Sequence, residues 1–174
     1  NVLTNVQFER MLSASGPTRG HIIRPSDGKA PRRLAFIQCV GCRDDKSNPY
    51  CGRICCLITL KQIILLKEKL GGTVTVLSIG GEDSNESLRK CLAMGADDAV
   101  RLADPAFDGS DGLVTAKILA EAIRKIPYDL ILAGTQAEDD GYGQVGVVLA
   151  QLLGIPHAAL VNRLELQDKK VKVH

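Results

Sequence analysis

Tryptophan is absent from the chain, and aromatic residues make up only 3% of its 174 positions, so there is no base-stacking platform for single-stranded nucleic acid. An excess of one charge is missing too. With 22 Lys and Arg against 20 Asp and Glu the net charge is +2, which excludes a general attraction to nucleic acid or to a membrane surface. No apolar run approaches the roughly 18 residues of a membrane span, and no basic stretch followed by an apolar one marks a leader. These absences predict a soluble, cytoplasmic chain with neither nucleic-acid binding nor membrane insertion. The chain starts at Asn1 and its strand-like patterns run to His174, which predicts a fragment of a longer product.

With 45% hydrophobic and 24% charged residues the chain can bury one good core. Residues 1–33 are polar and irregular, punctuated by Gly16, Pro17, Gly20, Pro25 and Pro31, and are expected to be loop, with FERML as a short helix. From Leu34 the pattern tightens. LAFIQCV predicts a buried strand, and CCLITLKQIILLKEKL a helix stopped at Gly71 and Gly72. TVTVLSIGG is a strand. Asp83 and Glu86 stand at capping-box spacing ahead of the helix ESLRKCLAMG, which Gly95 stops. DAVRLA is a short strand, Ser110 is the expected cap of DGLVTAKILAEAIRK, and DLILAG follows as another strand. After the helix ending at Gly154 come HAALV and then LELQDKKVKV, two alternating stretches around a polar turn. Repeated β-α-β order predicts an α/β fold, a mostly parallel twisted sheet of Rossmann-like type with helices on both faces, preceded by an irregular N-terminal segment.

DLILAGTQAEDDGYGQVGVVLAQLL is an apolar strand that runs through a Gly-rich acidic turn into a helix. A parallel strand brings such a turn to the carboxyl edge of the sheet, where the next helix offers unpaired N–H groups and the positive end of its dipole to a phosphate. Asp139 and Asp140 repel phosphate unless they bind ribose hydroxyls or accept backbone N–H groups; capping the helix is their other reading. Tyr142 can stack on a base or cover the turn. His157 and His21 have no nucleophile and carboxylate around them, so no catalytic residue is expected. Cys91 shares an apolar helical face with Leu88 and Leu92, which predicts core packing.

The other five cysteines, Cys39, Cys42, Cys51, Cys55 and Cys56, fall within 18 positions. Soft thiolates concentrated in this way suit an iron–sulfur cluster or zinc. Disulfides, or buried small hydrophobes without a ligand, are the alternatives. Five Lys or Arg against one Asp between Arg19 and Arg33 form either a solvated basic loop or a docking surface for an acidic redox partner.

FERMLSASGPT, RPSDGK, FIQCVG and the YC-x3-CC spacing, in this order over about the first 69 residues, closely resemble the A-type subunit of heterodisulfide reductase, a flavin and iron–sulfur electron-transfer protein. The resemblance implies a 4Fe–4S cluster held by Cys39, Cys51, Cys55 and Cys56, with Cys42 standing where relatives usually carry Ser. That family's Gly-rich flavin turn and ferredoxin-like cysteine repeats have no counterpart here.

From about Lys67 to Val161 the chain is similar to the beta subunit of electron transfer flavoprotein, through LAMGAD, DPAF-x-GSD, DLILAG and Q-A-x-D-D-x-x-x-Q-V-G. The resemblance implies that the segment from Gln136 to Gly146 wraps the phosphates of AMP or FAD. Gln136, Ala137, Asp140, Gly143, Gln144, Val145 and Gly146 would line the nucleotide, and Ser78, Ile79 and Gly80 would flank the adenine. Relatives usually carry Asn or Ala at Gly143 and often Thr at Val145, so one hydroxyl contact is missing. The family's first strand is also missing, and Leu34 to Val40 is expected to take its place in the sheet.

The boundaries are set at 1–70 for the cysteine-bearing segment and 71–174 for the partial nucleotide-binding domain. The expected function is that of an electron carrier rather than a stand-alone enzyme, working with an alpha-type flavin subunit in a heterodimer and with redox partner proteins. A non-redox adenine-nucleotide module with structural zinc, or an inactive truncated hybrid, are the alternatives.

Overall fold

A computed structural model describes residues 7–11, 20–23, 33–37, 54–134, 142–161, 164–167 and 170–173. In chain order the elements are β1 (Gln7–Met11), β2 (Gly20–Ile23), β3 (Arg33–Ile37), α1 (Ile54–Leu70), β4 (Thr73–Ile79), α2 (Ser84–Ala93), β5 (Asp98–Ala103), a short 3-10 turn (Pro105–Phe107), α3 (Gly112–Ile123), β6 (Leu130–Ala133), α4 (Val145–Leu153), β7 (His157–Val161), β8 (Leu164–Gln167) and β9 (Lys170–Val173). Seven strands form one sheet in the order β1-β5-β4-β3-β6-β2-β7, and β8 and β9 form a separate hairpin. The central block β5-β4-β3-β6 is parallel. β1 runs antiparallel to β5, and β2 runs antiparallel to both β6 and β7.

Strand alternation sorts the core into two layers. Leu34, Val74, Val76, Ala99, Leu130 and Leu132 meet Leu60 and Ile63 of α1 and Leu88, Cys91 and Leu92 of α2. Ala35, Ile37, Leu77, Leu102, Ile131 and Ala133 meet α3 and α4 on the opposite face. Helices therefore cover both faces, as the β-α-β order requires. Every residue of β6 is buried, which marks a strand covered on both sides. β3 lies in the middle of this sheet, paired with β4 and β6, so the strand read from LAFIQCV occupies a central place. The described part of the strand runs to Ile37, and residues 38–40 of the expected strand lie outside the described residues.

FERML corrects an expectation. Its first four residues, Phe8 to Met11, lie in β1 and not in a helix, in register with β5 from Gln7 opposite Ala103 to Met11 opposite Ala99, and Leu12 lies outside the described residues. Five residues are too few to repay helix nucleation, whereas the open edge of β5 offers a ladder of hydrogen-bond partners. The expected loop over residues 20–23 is likewise strand β2.

Two caps also differ from the sequence reading. Asp83 stands at the N-cap of α2, but its side chain makes no capping bond, because Ser84 and Asn85 N–H already donate to the Gly81 and Glu82 carbonyls. Glu86 pairs forward with Lys90 instead. For α3 the cap is Asp111, not Ser110: the Asp111 carboxylate accepts the Val114 N–H at 2.8 Å, while Ser110 N–H is held by the Phe107 carbonyl. Gly154 ends α4 as expected, in the left-handed conformation at φ 66°, with Ile155 N–H returning to the Ala150 carbonyl.

Register in the parallel block is pinned by two aspartates that precede strands. Asp129 accepts the Arg33 backbone N–H at 2.8 Å and the Arg33 Nε at 3.1 Å, while its own N–H donates to the Arg33 carbonyl at 2.7 Å. Asp97 treats β4 in the same way, accepting the Val74 N–H at 2.7 Å and the Lys67 ammonium at 2.6 Å. Asp129→Ala is expected to lower stability by about 1–2 kcal/mol through the lost charge-assisted bonds, read as a lower urea midpoint at unchanged slope.

Cys91 is 3% exposed in the α1/α2 layer, as its helical spacing predicts. Burial pushes its thiol from the ordinary 9.0 up to about 12, with a backbone hydrogen bond partly opposing. The folded chain then holds this proton more tightly than the unfolded chain. Its contribution is complete below pH 9 and is lost as pH rises toward 12. Between pH 8 and pH 10 the urea midpoint should therefore fall further in the native chain than in Cys91→Val.

Candidate functional site

All four crossover helices begin at the carboxyl edge of the parallel strands that they follow. The strand order reverses between β3 and β6, because β4 lies on one side of β3 while β6 lies on the other. In open α/β sheets such a reversal leaves a crevice at the carboxyl edge, since successive helices go to opposite faces. Here α1 packs in one layer and α4 in the other. The two strands stay joined to their ends, with Ile37 opposite Ala133 and the Gly134 N–H donating to the Ile37 carbonyl at 3.4 Å.

The turn that enters α4 is described from Tyr142. Gly143 has φ 58°, a left-handed conformation that Gly and Asn reach most readily, which accounts for the glycine at this position. Gln144 is the N-cap of α4 and makes no side-chain capping bond. Val145 and Gly146 open the helix, and no acidic residue lies in its first turn to compete with an anion. Tyr142 is 75% exposed. Gln136, Ala137, Asp139 and Asp140 lie outside the described residues.

Ser78, Ile79 and Gly80 end β4, one strand away from β3. A Cβ on Gly80 would come within 2.1 Å of the Ser84 Oγ, so the backbone passes close against the start of α2. Ser78 is buried at 3% and lies in register with Arg101, itself 6% exposed. Asn85, in the first turn of α2, has a buried Oδ1 with no hydrogen-bond partner. These small and polar features, one of them unsatisfied, fit an adenine and ribose at this strand end. Arg101 and Asn85 do not stand out from sequence motifs. Arg101 was nevertheless detectable, because two-residue alternation from buried Ala99 in DAVRLA puts it on the inward face.

Cys55 and Cys56 are the second and third residues of α1. No acidic residue lies in that first turn, and the side chains of residues 54–59 lie outside the described residues. Cys39, Cys42 and Cys51 lie outside the described residues. Among the described residues no group of three or more His, Cys, Asp or Glu could hold a metal ion, and no helix is long and apolar enough to cross a membrane. His157 is exposed at the start of β7.

The model of the electron transfer flavoprotein domain matches residues 60–174. The chain belongs to the electron transfer flavoprotein family. It is 44% identical over 114 residues to an electron transfer flavoprotein beta subunit from Thermoanaerobacterium thermosaccharolyticum, a match covering 66% of this chain and 44% of that protein. The remainder has a different likeness. Over 68 residues the chain is 59% identical to the A-type subunit of the H(2)/formate:CoB-CoM heterodisulfide,ferredoxin reductase of Methanococcus maripaludis, covering 38% of this chain and 10% of that protein. The A-type subunit of a Ferredoxin/F(420)H(2)-dependent CoB-CoM heterodisulfide reductase from Methanosarcina acetivorans is 35% identical over 147 residues, 79% of this chain and 18% of that protein. The chain thus spans less than half the length of the electron transfer flavoprotein relative and a small part of the reductase subunits. Both resemblances read from the motifs are present, and Leu34 and Leu60 share one core layer with Val74 and Leu130.

Proposed function

We propose that this electron transfer flavoprotein chain is part of a beta-type subunit that binds AMP or FAD at the carboxyl edge of its sheet. The observation that carries the reading is the reversal of strand order between β3 and β6, with β6 leading to the left-handed Gly143 and the open start of α4. Gln136, Ala137, Asp140, Gly143, Gln144, Val145 and Gly146 hold the phosphates and ribose, and Ser78, Ile79 and Gly80 flank the base. Backbone N–H groups at α4 and the Gln144 amide donate to phosphate oxygens.

The redox flavin belongs to an alpha-type partner in a heterodimer. The bound nucleotide fixes this subunit's fold and interface, and a flavin, where present, supplies reversible electron uptake. Electrons pass outer-sphere to and from redox partner proteins, so no general acid or base is needed. Cys39, Cys51, Cys55 and Cys56 hold a 4Fe–4S cluster. We place the boundary between the reductase-like segment, 1–70, and the nucleotide-binding part, 71–174, inside the shared core.

Nucleotide and metal content of the anaerobically purified chain test this reading. AMP or FAD released on denaturation, together with iron, sulfide and a broad visible absorption band, is expected. Nucleotide with zinc and no colour would favour a non-redox module, and neither nucleotide nor metal would favour an inactive hybrid.

A further inference from the structure

Three elements of one core layer change from apolar to polar at the same level. On β4 the inward series runs Val74, Val76 and then Ser78, and on β5 it runs Ala99 and then Arg101, which lies in register with Ser78. On α2 the buried stripe of Leu92 and Leu88 continues one turn back to Asn85. Ser78 and Arg101 are 3% and 6% exposed, so these are interior groups and not a solvated rim. Burying polar atoms is costly unless each finds a hydrogen-bond partner. The Asn85 Oδ1 is buried with no such partner among the described residues, although the Asn85 backbone N–H donates to the Glu82 carbonyl at 2.9 Å. This end of the layer is the carboxyl edge of β4, where the Gly80 backbone passes so close to the Ser84 hydroxyl that a Cβ has no room.

We propose that Asn85 selects the purine: its Oδ1 accepts a hydrogen from the 6-amino group of adenine, so that a 6-oxo purine nucleotide is rejected. This rests on the nucleotide reading above, which sets the base against Ser78, Ile79 and Gly80. An ionised phosphate carries only acceptor oxygens and leaves this atom unsatisfied, whereas the 6-amino group is a donor. Hypoxanthine puts a carbonyl oxygen at the same place. Two acceptors then face each other, and both lose their hydrogen bonds to water without replacement.

Isothermal titration of AMP, IMP and 2′-deoxy-AMP into the native chain, Asn85→Ala and Asn85→Asp tests the assignment. The native chain should bind AMP about 10-fold or more tighter than IMP, and Asn85→Ala should bind the two nearly equally. Asn85→Asp retains an acceptor at this place and should keep the preference for AMP. Removal of the 2′-hydroxyl should cost the native chain and Asn85→Ala the same factor. A preference for AMP over IMP that survives in Asn85→Ala, or a discrimination lost against 2′-deoxy-AMP instead of IMP, would overturn the role of Asn85 and leave the nucleotide reading standing. No binding of AMP to the native chain would overturn both.

Discussion

Leu34→Ala will destabilise the chain by about 2–5 kcal/mol, a large share of the roughly 5–15 kcal/mol that holds an ordinary domain folded. Leu34 is 2% exposed on β3, the middle strand of the seven-stranded sheet, packed with Leu60, Ile63, Val74, Val76, Leu130 and Leu132. Truncation removes that contact and leaves a cavity between two helices and three strands that cannot collapse without moving the sheet. The residue also belongs to the segment that resembles a different protein, so its cost measures whether the two stretches fold as one unit. Leu113→Ala, at a 47% exposed position, supplies the control and should shift stability by under about 0.5 kcal/mol. Equal urea midpoints for the two variants would mean that β3 contributes little to the core.

Gly143→Val should reduce AMP or FAD affinity about 10-fold or more while leaving the urea midpoint nearly unchanged. At φ 58° a non-glycine residue costs roughly 1–2 kcal/mol, and a β-branched side chain is the worst suited to that region. A shift of Gly143 to negative φ would leave α4 in place, because Leu149 and Ala150 anchor it in the α3/α4 layer. That relaxation turns the entrance of the helix away from its phosphate-binding arrangement, and each 1.4 kcal/mol is about a factor of ten in affinity. Gly143→Asn, which tolerates the left-handed region, should retain most binding. Similar losses for Val and Asn would contradict a role for this backbone angle.

Elements were legible in the sequence where the deciding contact was local. The short apolar stretches TVTVLSI, DAVRLA and DLILA placed β4, β5 and β6 correctly because such stretches must be buried whatever their neighbours, and Gly154 marked the end of α4 because few other residues adopt that cap. The helix expected at FERML failed because the conformation of Phe8 to Met11 is set by β5, far along the chain, and not by its own pattern. The Asp129 and Asp97 clamps were invisible for the same reason: nothing adjacent to either residue names Arg33 or Val74 as its partner. The shift of the α3 cap from Ser110 to Asp111 is a one-residue choice between two good cap residues, decided by which one reaches Val114. In the candidate site, the glycine at 143 was legible from the turn, whereas Asn85 gave no signal because an Asn in the first turn of a helix is ordinary.

Isothermal titration of AMP into the metal-free native chain and into Gly143→Val tests the central claim most directly. Saturable binding at one site per chain, weakened about 10-fold or more by Gly143→Val, is predicted. No binding to the native chain, or equal affinity in both, would contradict a nucleotide held at the entrance of α4.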